Sequence, residues 1–189
     1  MDDGPTSDVD APRLTDGTVL LRPIAERDID AITAACQDPD LQHYLPVPIP
    51  YERDDAVAYV DLSDGLWPTG RKAVFTVADP HDQELLGVIS LTIAGSCGNA
   101  AYWVAPEARG RHVARHALAL LTRWAFDERA LAVILLEIRD ANHPSKAVAD
   151  ACGFHHSGSV EVPTDHGIQS ALLYVRLASD QPPRPGPGP

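Results

Sequence analysis

The stretch YWVAPEARGRHVARHA, Tyr102–Ala117, decides how the rest of the chain reads. An apolar strand runs to Val104, Pro106 stops it, and a basic loop containing Gly110 passes directly into a helix beginning at Val113. The first N–H groups of a helix lack internal partners and sit at the positive end of its dipole, so such a loop can hold phosphate. Neighbouring arginines add charge-assisted hydrogen bonds to an anion. The same residues also fit a plain alternative, a basic helix start packed against surrounding acids. The loop is neither a GxxxxGK[ST] phosphate loop nor a GxGxxG dinucleotide fingerprint.

Charge sharpens this reading. The chain carries a formal net charge of −12, which argues against a general binder of nucleic acid or of anionic membranes. Yet between Glu84 and Asp127 the only acid is Glu107, against Arg109, Arg111, Arg115 and Arg123, with His112 and His116 beside them. A basic island in an acidic protein marks a place for an anion.

Outward from this segment, elements alternate. Short strands are expected at 18–22, 72–79, 85–93 and 99–104, and helices at 26–37 and 51–64. The first helix is expected to end at the Asp38-Pro39-Asp40 turn. Val113–Glu128 reads as a strongly amphipathic helix. LAVILLEIR, 131–139, is an almost unbroken apolar run, as for a strand buried on both faces. A short helix from Pro144 to Cys152 is closed by Gly153, and strands at 157–162 and 171–178 finish the order. This predicts an α/β (α+β) fold, a mixed, mostly antiparallel sheet of about seven strands with helices on both faces.

At 189 residues the chain fits one domain. Residues 14–179 form that domain, between an acidic tail expected to be disordered at 1–13 and a proline- and glycine-rich tail at 180–189. No apolar run is long enough to span a bilayer, and the first residues lack a signal-peptide pattern. Cys36, Cys97 and Cys152 form no CxxC pair, so a cytoplasmic protein without disulfides or a metal is expected. His155-His156 have no metal-ligand spacing to His143 or His166, and Cys152 reads as helix packing.

The loop resembles the acyl-CoA signature Q/R-x-x-G-x-G/A of the GNAT superfamily of N-acetyltransferases, here Arg109-Gly110-Arg111-His112-Val113-Ala114. The element order is similar over about 18–179. AYWVAPEARGR, LLTRWAF and DANHPSKAVADACGF resemble the branch of ribosomal-protein N-terminal alanine acetyltransferases. The resemblance implies acetyl-CoA as cosubstrate and an amine as acceptor. It implies that Arg109, Gly110, Arg111, His112, Val113 and Ala114 cradle the pyrophosphate. It also implies that Trp103 and Val104 offer backbone groups to the pantetheine arm. His112 stands where the family usually has glycine; its side chain either crowds the diphosphate or, protonated, pairs with it.

In Asp140-Ala141-Asn142-His143-Pro144-Ser145, Asn142 or His143 reads locally as a helix cap and Ser145 as a solvent-facing residue. The resemblance instead implies that Asn142 orients the cosubstrate arm and Ser145 assists the departing thiolate. Many relatives use a tyrosine seven residues after the asparagine, and here that position is Ala149. The fourth main strand carries no carboxylate for a general base. Glu161 and Asp165 are candidates by position only. The acids Glu26, Asp28, Glu52, Asp54, Asp55 and Asp61 could attract a cationic amine or simply be solvated.

The expected reaction is acetyl transfer to a primary amine, toward a protein or peptide α-amine. An α-amine is neutral at pH 7 roughly 400-fold more often than a lysine side chain, which suits a site with no evident strong base. Acetylation of an aminoglycoside or polyamine is the alternative on the same fold, and a non-catalytic acyl-CoA-binding module is the rival from another class. The sequence does not give the oligomeric state, and a homodimer stays open.

Overall fold

The computed structural model describes residues 11–164 and 167–180. Of the tails expected at 1–13 and 180–189 only residues 11–13 and 180 are described; residues 1–10 and 181–189, with Asp165 and His166, lie outside the described residues. One eight-stranded sheet runs in the order β1-β2-β3-β4-β5-β6-β8-β7. Its strands are β1 (Leu14–Thr15), β2 (Leu20–Pro23), β3 (Lys72–Ala78), β4 (Leu85–Ala94), β5 (Cys97–Val104), β6 (Val133–Ile138), β7 (His155–Thr164) and β8 (Gly167–Leu177). The helices are α1 (Ile29–Cys36), α2 (Pro39–Tyr44), α3 (Arg53–Leu66), α4 (Val113–Asp127) and α5 (His143–Ala151). The mixed α/β architecture matches the expectation, with two short elements added.

One addition is β1, which pairs two residues with β2. The other is α2. Asp38-Pro39-Asp40 does end α1, but it also starts α2: the Asp38 side chain accepts from the Leu41 amide at 3.0 Å, and Pro39 occupies the first turn. Aspartate at the cap followed by proline is a helix-start signal as much as a stop.

Strand alternation sorts the two faces. Val88, Ser90, Ala101 and Trp103 border the same space as Ile32 and Cys36 of α1 and Tyr59 of α3. The opposite face receives α4, whose Val113, Ala117, Leu120, Leu121 and Trp124 are buried at helical spacing. Trp124 meets Phe75 of β3 edge-on at 5.4 Å between centroids, and Phe75 meets Trp67 at 5.0 Å, an aromatic cluster that fixes α4 to the sheet.

All neighbouring strands pair antiparallel except β5 and β6, which run parallel and share only three positions: Cys97 with Val133, Gly98 with Ile134, and Asn99 with Leu135. Beyond Asn99 the two strands separate. This corrects the reading of 131–139 as buried on both faces. Ile134, Leu136 and Ile138 are buried, but Val133 and Leu135 are half-buried and Glu137 is exposed. The second face of β6 borders the separation instead of a helix.

A buried ion pair ties the first strands to α1. Arg22 and Asp28 are 1% and 2% exposed, and the guanidinium grips the carboxylate through both terminal nitrogens at 2.7 and 2.8 Å. Thr76 and the Ala25 amide add bonds of 2.8 and 3.0 Å to the same carboxylate. Asp28 is therefore unavailable to attract an amine. Burial opposes its ionisation, but the bonds from Arg22, Thr76 and Ala25 outweigh that and hold its carboxyl below the ordinary range. The stabilisation is full above the unfolded carboxyl's ~3.9 and is lost as pH falls through the lower folded value. Asp28→Ala leaves a buried guanidinium unpaired and should cost about 3–5 kcal/mol in urea unfolding at neutral pH. The gap from wild type should close in acid.

Candidate active site

Where β5 and β6 part, a cavity of about 520 Å³ opens through the sheet. Its walls come from β5 (Ala100, Ala101, Tyr102), β6 (Leu136, Glu137, Ile138), the start of α5 (Asn142, Ser145), α2 with its following loop, and β8. An apolar side pocket of about 200 Å³ branches from it under α1 and α3, sharing Leu45, Pro46, Val47, Ala101 and Tyr102.

The backbone edge of β5 decides what the split can hold. The Ala105 amide donates to Leu86 O at 2.9 Å, and a Cβ on Gly87 would lie 2.3 Å from the Trp103 carbonyl oxygen. Trp103 therefore turns its carbonyl toward β4, and Gly87 must be glycine to admit it. By alternation, Tyr102 and Val104 direct their N–H and C=O toward the gap. Of the two residues expected at this edge, Val104 faces the gap; Trp103 faces β4, and Tyr102 stands in its place.

The loop that follows β5 brings Arg109 to Ala114 around the start of α4. Gly110 has φ +77°, and His112, the residue before the helix, has φ +60° and ψ +16°. Both lie in the left-handed region, so glycine would suit position 112 as it suits 110. Among the described residues, no amide from Gly110 to Arg115 donates a hydrogen bond within the chain. These donors are free for an anion.

The cationic side chains are less free. Arg109 bonds Asp38 at 2.6 Å and Asp40 at 3.2 Å, drawing the Asp38 carboxyl below its ordinary range. Arg111 lies 3.8 Å from Asp79, and His116 lies 2.7 Å from Asp16. Acids from distant segments thus offset the basic island, as in the plainer of the two sequence readings. The side chain of His112 is exposed.

At α5, the Asn142 side chain caps the helix, accepting from the Ser145 amide at 3.1 Å. Ala149 is fully buried at the position where relatives carry tyrosine. Tyr102 instead reaches α5 from the strand, its hydroxyl 3.4 Å from the Ser145 carbonyl. Burial pushes its phenol up to about 12, so it stays protonated.

Among the described residues that line the cavity, the carboxylate stands on β6 and not on β7, where Glu161 is a candidate by position. Glu137 lines the cavity and accepts a 2.8 Å hydrogen bond from Asn99 Nδ2 across the strands, just past their last paired position. Its signal in the sequence was the single acid within LAVILLEIR. Glu161 does not line the cavity, nor do Glu26, Asp28, Glu52, Asp54, Asp55 or Asp61. Among the described residues no group of three potential metal ligands is found.

The family model for the acetyltransferase (GNAT) domain matches residues 18–155. The chain belongs to this family and is an acetyl-CoA-dependent N-acetyltransferase. The fold is also that of RimJ of Mycobacterium smegmatis, solved with a CoA disulfide: TM-score 0.78, 23% identity, 91% of this chain and 88% of that one. The ribosomal-protein-S5-alanine acetyltransferase of Vibrio fischeri aligns at TM-score 0.74 and 17% identity, over 91% of this chain and 100% of the other. A spermidine N-acetyltransferase SpeG chimera of Vibrio cholerae and hSSAT aligns at 0.71 and 20%, over 86% and 96%. No curated protein sequence matches the chain significantly.

The left-handed backbone at His112 gives a direct test. A β-branched side chain resists this conformation more than histidine does. His112→Val should lower stability by about 1–2 kcal/mol, whereas His112→Gly should stay at or above wild type in the same denaturant titration.

Proposed function

We propose that this enzyme acetylates the α-amine of a peptide or protein, with the reacting atoms at the point where β5 and β6 separate. The observation that carries this reading is Glu137, held by Asn99 at that point and lining the cavity. In this reading the free amides of Gly110–Ala114 hold the diphosphate of acetyl-CoA. The Tyr102 and Val104 edge pairs with the pantetheine arm as a strand would, and Asn142 borders it. The amine nitrogen attacks the thioester carbonyl as the C–S bond breaks. Glu137 takes the proton released from nitrogen, and the Ser145 hydroxyl donates to the departing sulfur.

The cavity wall bears on the acceptor. Among its described lining residues Glu137 is the only carboxylate, and Arg139 contributes a guanidinium. That balance suits a single amine better than a polyamine or aminoglycoside, whose several cations need several carboxylates. A carboxylate and a hydroxyl at the strand split also favour catalysis over mere acyl-CoA binding. Three free cysteines fit a cytoplasmic location.

Release of free thiol from acetyl-CoA, followed with a panel of peptides and small amines, tests the reading. Glu137→Gln should lower kcat by about 10²-fold or more with coenzyme A affinity unchanged. Ser145→Ala should lower kcat by about tenfold, again with little change in cofactor affinity. Loss of cofactor binding equal to the loss of rate would make either residue structural.

His112 gives a second expected outcome. If its side chain pairs with the diphosphate, His112→Gly weakens coenzyme A binding, measured by calorimetry at one pH. Tighter binding by the variant would assign crowding instead.

A further inference from the structure

The cavity wall carries a cation that no carboxylate among the described residues neutralises. Arg139 follows β6 directly, two residues beyond Glu137, and lines the same cavity. One terminal nitrogen donates to the His43 carbonyl on α2 at 2.7 Å, and the guanidinium lies 6.0 Å from the centroid of the Tyr44 ring. These contacts fix its position without matching its charge. Among the described residues no carboxylate lies within ion-pair distance of Arg139. The adjacent Asp140 is taken by Lys146 at 3.0 Å, and Glu137 is bonded to Asn99. The contrast with the loop arginines is direct, since Arg109 and Arg111 each have aspartates beside them.

A half-buried guanidinium held by one carbonyl keeps donors for a further acceptor, and a planar fork of this kind suits a carboxylate. We infer that Arg139 determines acceptor specificity by binding a carboxylate that the amine substrate carries one residue away from its reacting nitrogen. The inference rests on the proposed acetylation of an α-amine at Glu137. Strand rise places positions 137 and 139 roughly 6–7 Å apart. An amine at Glu137 thus brings to Arg139 a group about that far along its own chain. In a peptide this is the side chain of an acidic second residue, and in a dipeptide it is the terminal carboxylate. The two share one chemistry, and the test separates them.

Initial rates of thiol release are compared for amidated pentapeptides that differ only at the second residue (Asp, Asn, Ala or Lys) and for free Ala-Ala against its amide. Wild type should favour Asp over Lys at position two by at least tenfold in kcat/KM, with Asn near Ala. Arg139→Gln should abolish the preference, Arg139→Lys should keep part of it, and Arg139→Glu should reverse it, all with coenzyme A affinity unchanged. A preference for free Ala-Ala over its amide, with no effect of the pentapeptide side chain, would assign the carboxylate to a dipeptide-sized acceptor. Equal rates across every pair, or a preference that survives Arg139→Gln, would overturn the inference while leaving α-amine acetylation standing. Turnover confined to amines without a peptide bond would overturn both.

Discussion

A parallel strand pair that stops after three positions leaves a row of backbone donors and acceptors without a neighbour. Buried amides and carbonyls are rarely left unpaired, because an unmade hydrogen bond costs the full desolvation of the group. In this protein the separation of β5 from β6 after Asn99 is therefore the constraint on which the rest depends. It holds the sheet open for water or for an extended, amide-bearing ligand that can act as a substitute strand. It also exposes one face of β6, so that a single position in an apolar strand can carry a carboxylate. Gly87 supports the same arrangement from the far side, because only glycine lets the Trp103 carbonyl turn toward β4.

Around this opening, electrostatics is arranged by pairing more than by excess. The basic island of the sequence is offset in space by Asp38, Asp40, Asp79 and Asp16. What the helix start keeps is a set of unpaired amides, and those act on an anion through short-range geometry that salt screens weakly. The pairs also tie the loop to the cavity wall. Asp38 caps α2 while binding Arg109, so the loop that leads into α4 and the segment that walls the cavity share one carboxylate. Arg139, held to α2 by a carbonyl, has no carboxylate beside it among the described residues.

The acetyltransferase (GNAT) fold accommodates protein and polyamine acceptors alike, as the two kinds of neighbour show. Acceptor choice must then come from side chains on the cavity wall. Here the charged ones among the described residues are Glu137 on β6 and Arg139 just after it, beside α2 with its loop, β5, α5 and β8.

The sequence by itself determined the elements whose signals are local. Periodicity marked α4, a cap glycine marked the end of α5, and proline with a basic glycine loop marked the turn from β5 into α4. Each depends on residues within a few positions of one another, so neighbours in sequence carry the information. The start of α2 was also present, in Asp38-Pro39, but the same residues served equally as a stop. Only the tertiary structure decided what depends on partners far along the chain. Arg109 meets an aspartate 71 residues away, and Asn99 meets Glu137 from 38 residues away. Which edge of β5 faces the gap, and hence that Tyr102 and Val104 rather than Trp103 present their backbone there, follows from which strand pairs on the other side. A strand's alternation is written in its sequence; the neighbour that fixes its register, and leaves Glu137 facing a cavity instead of a helix, is chosen only when the sheet assembles.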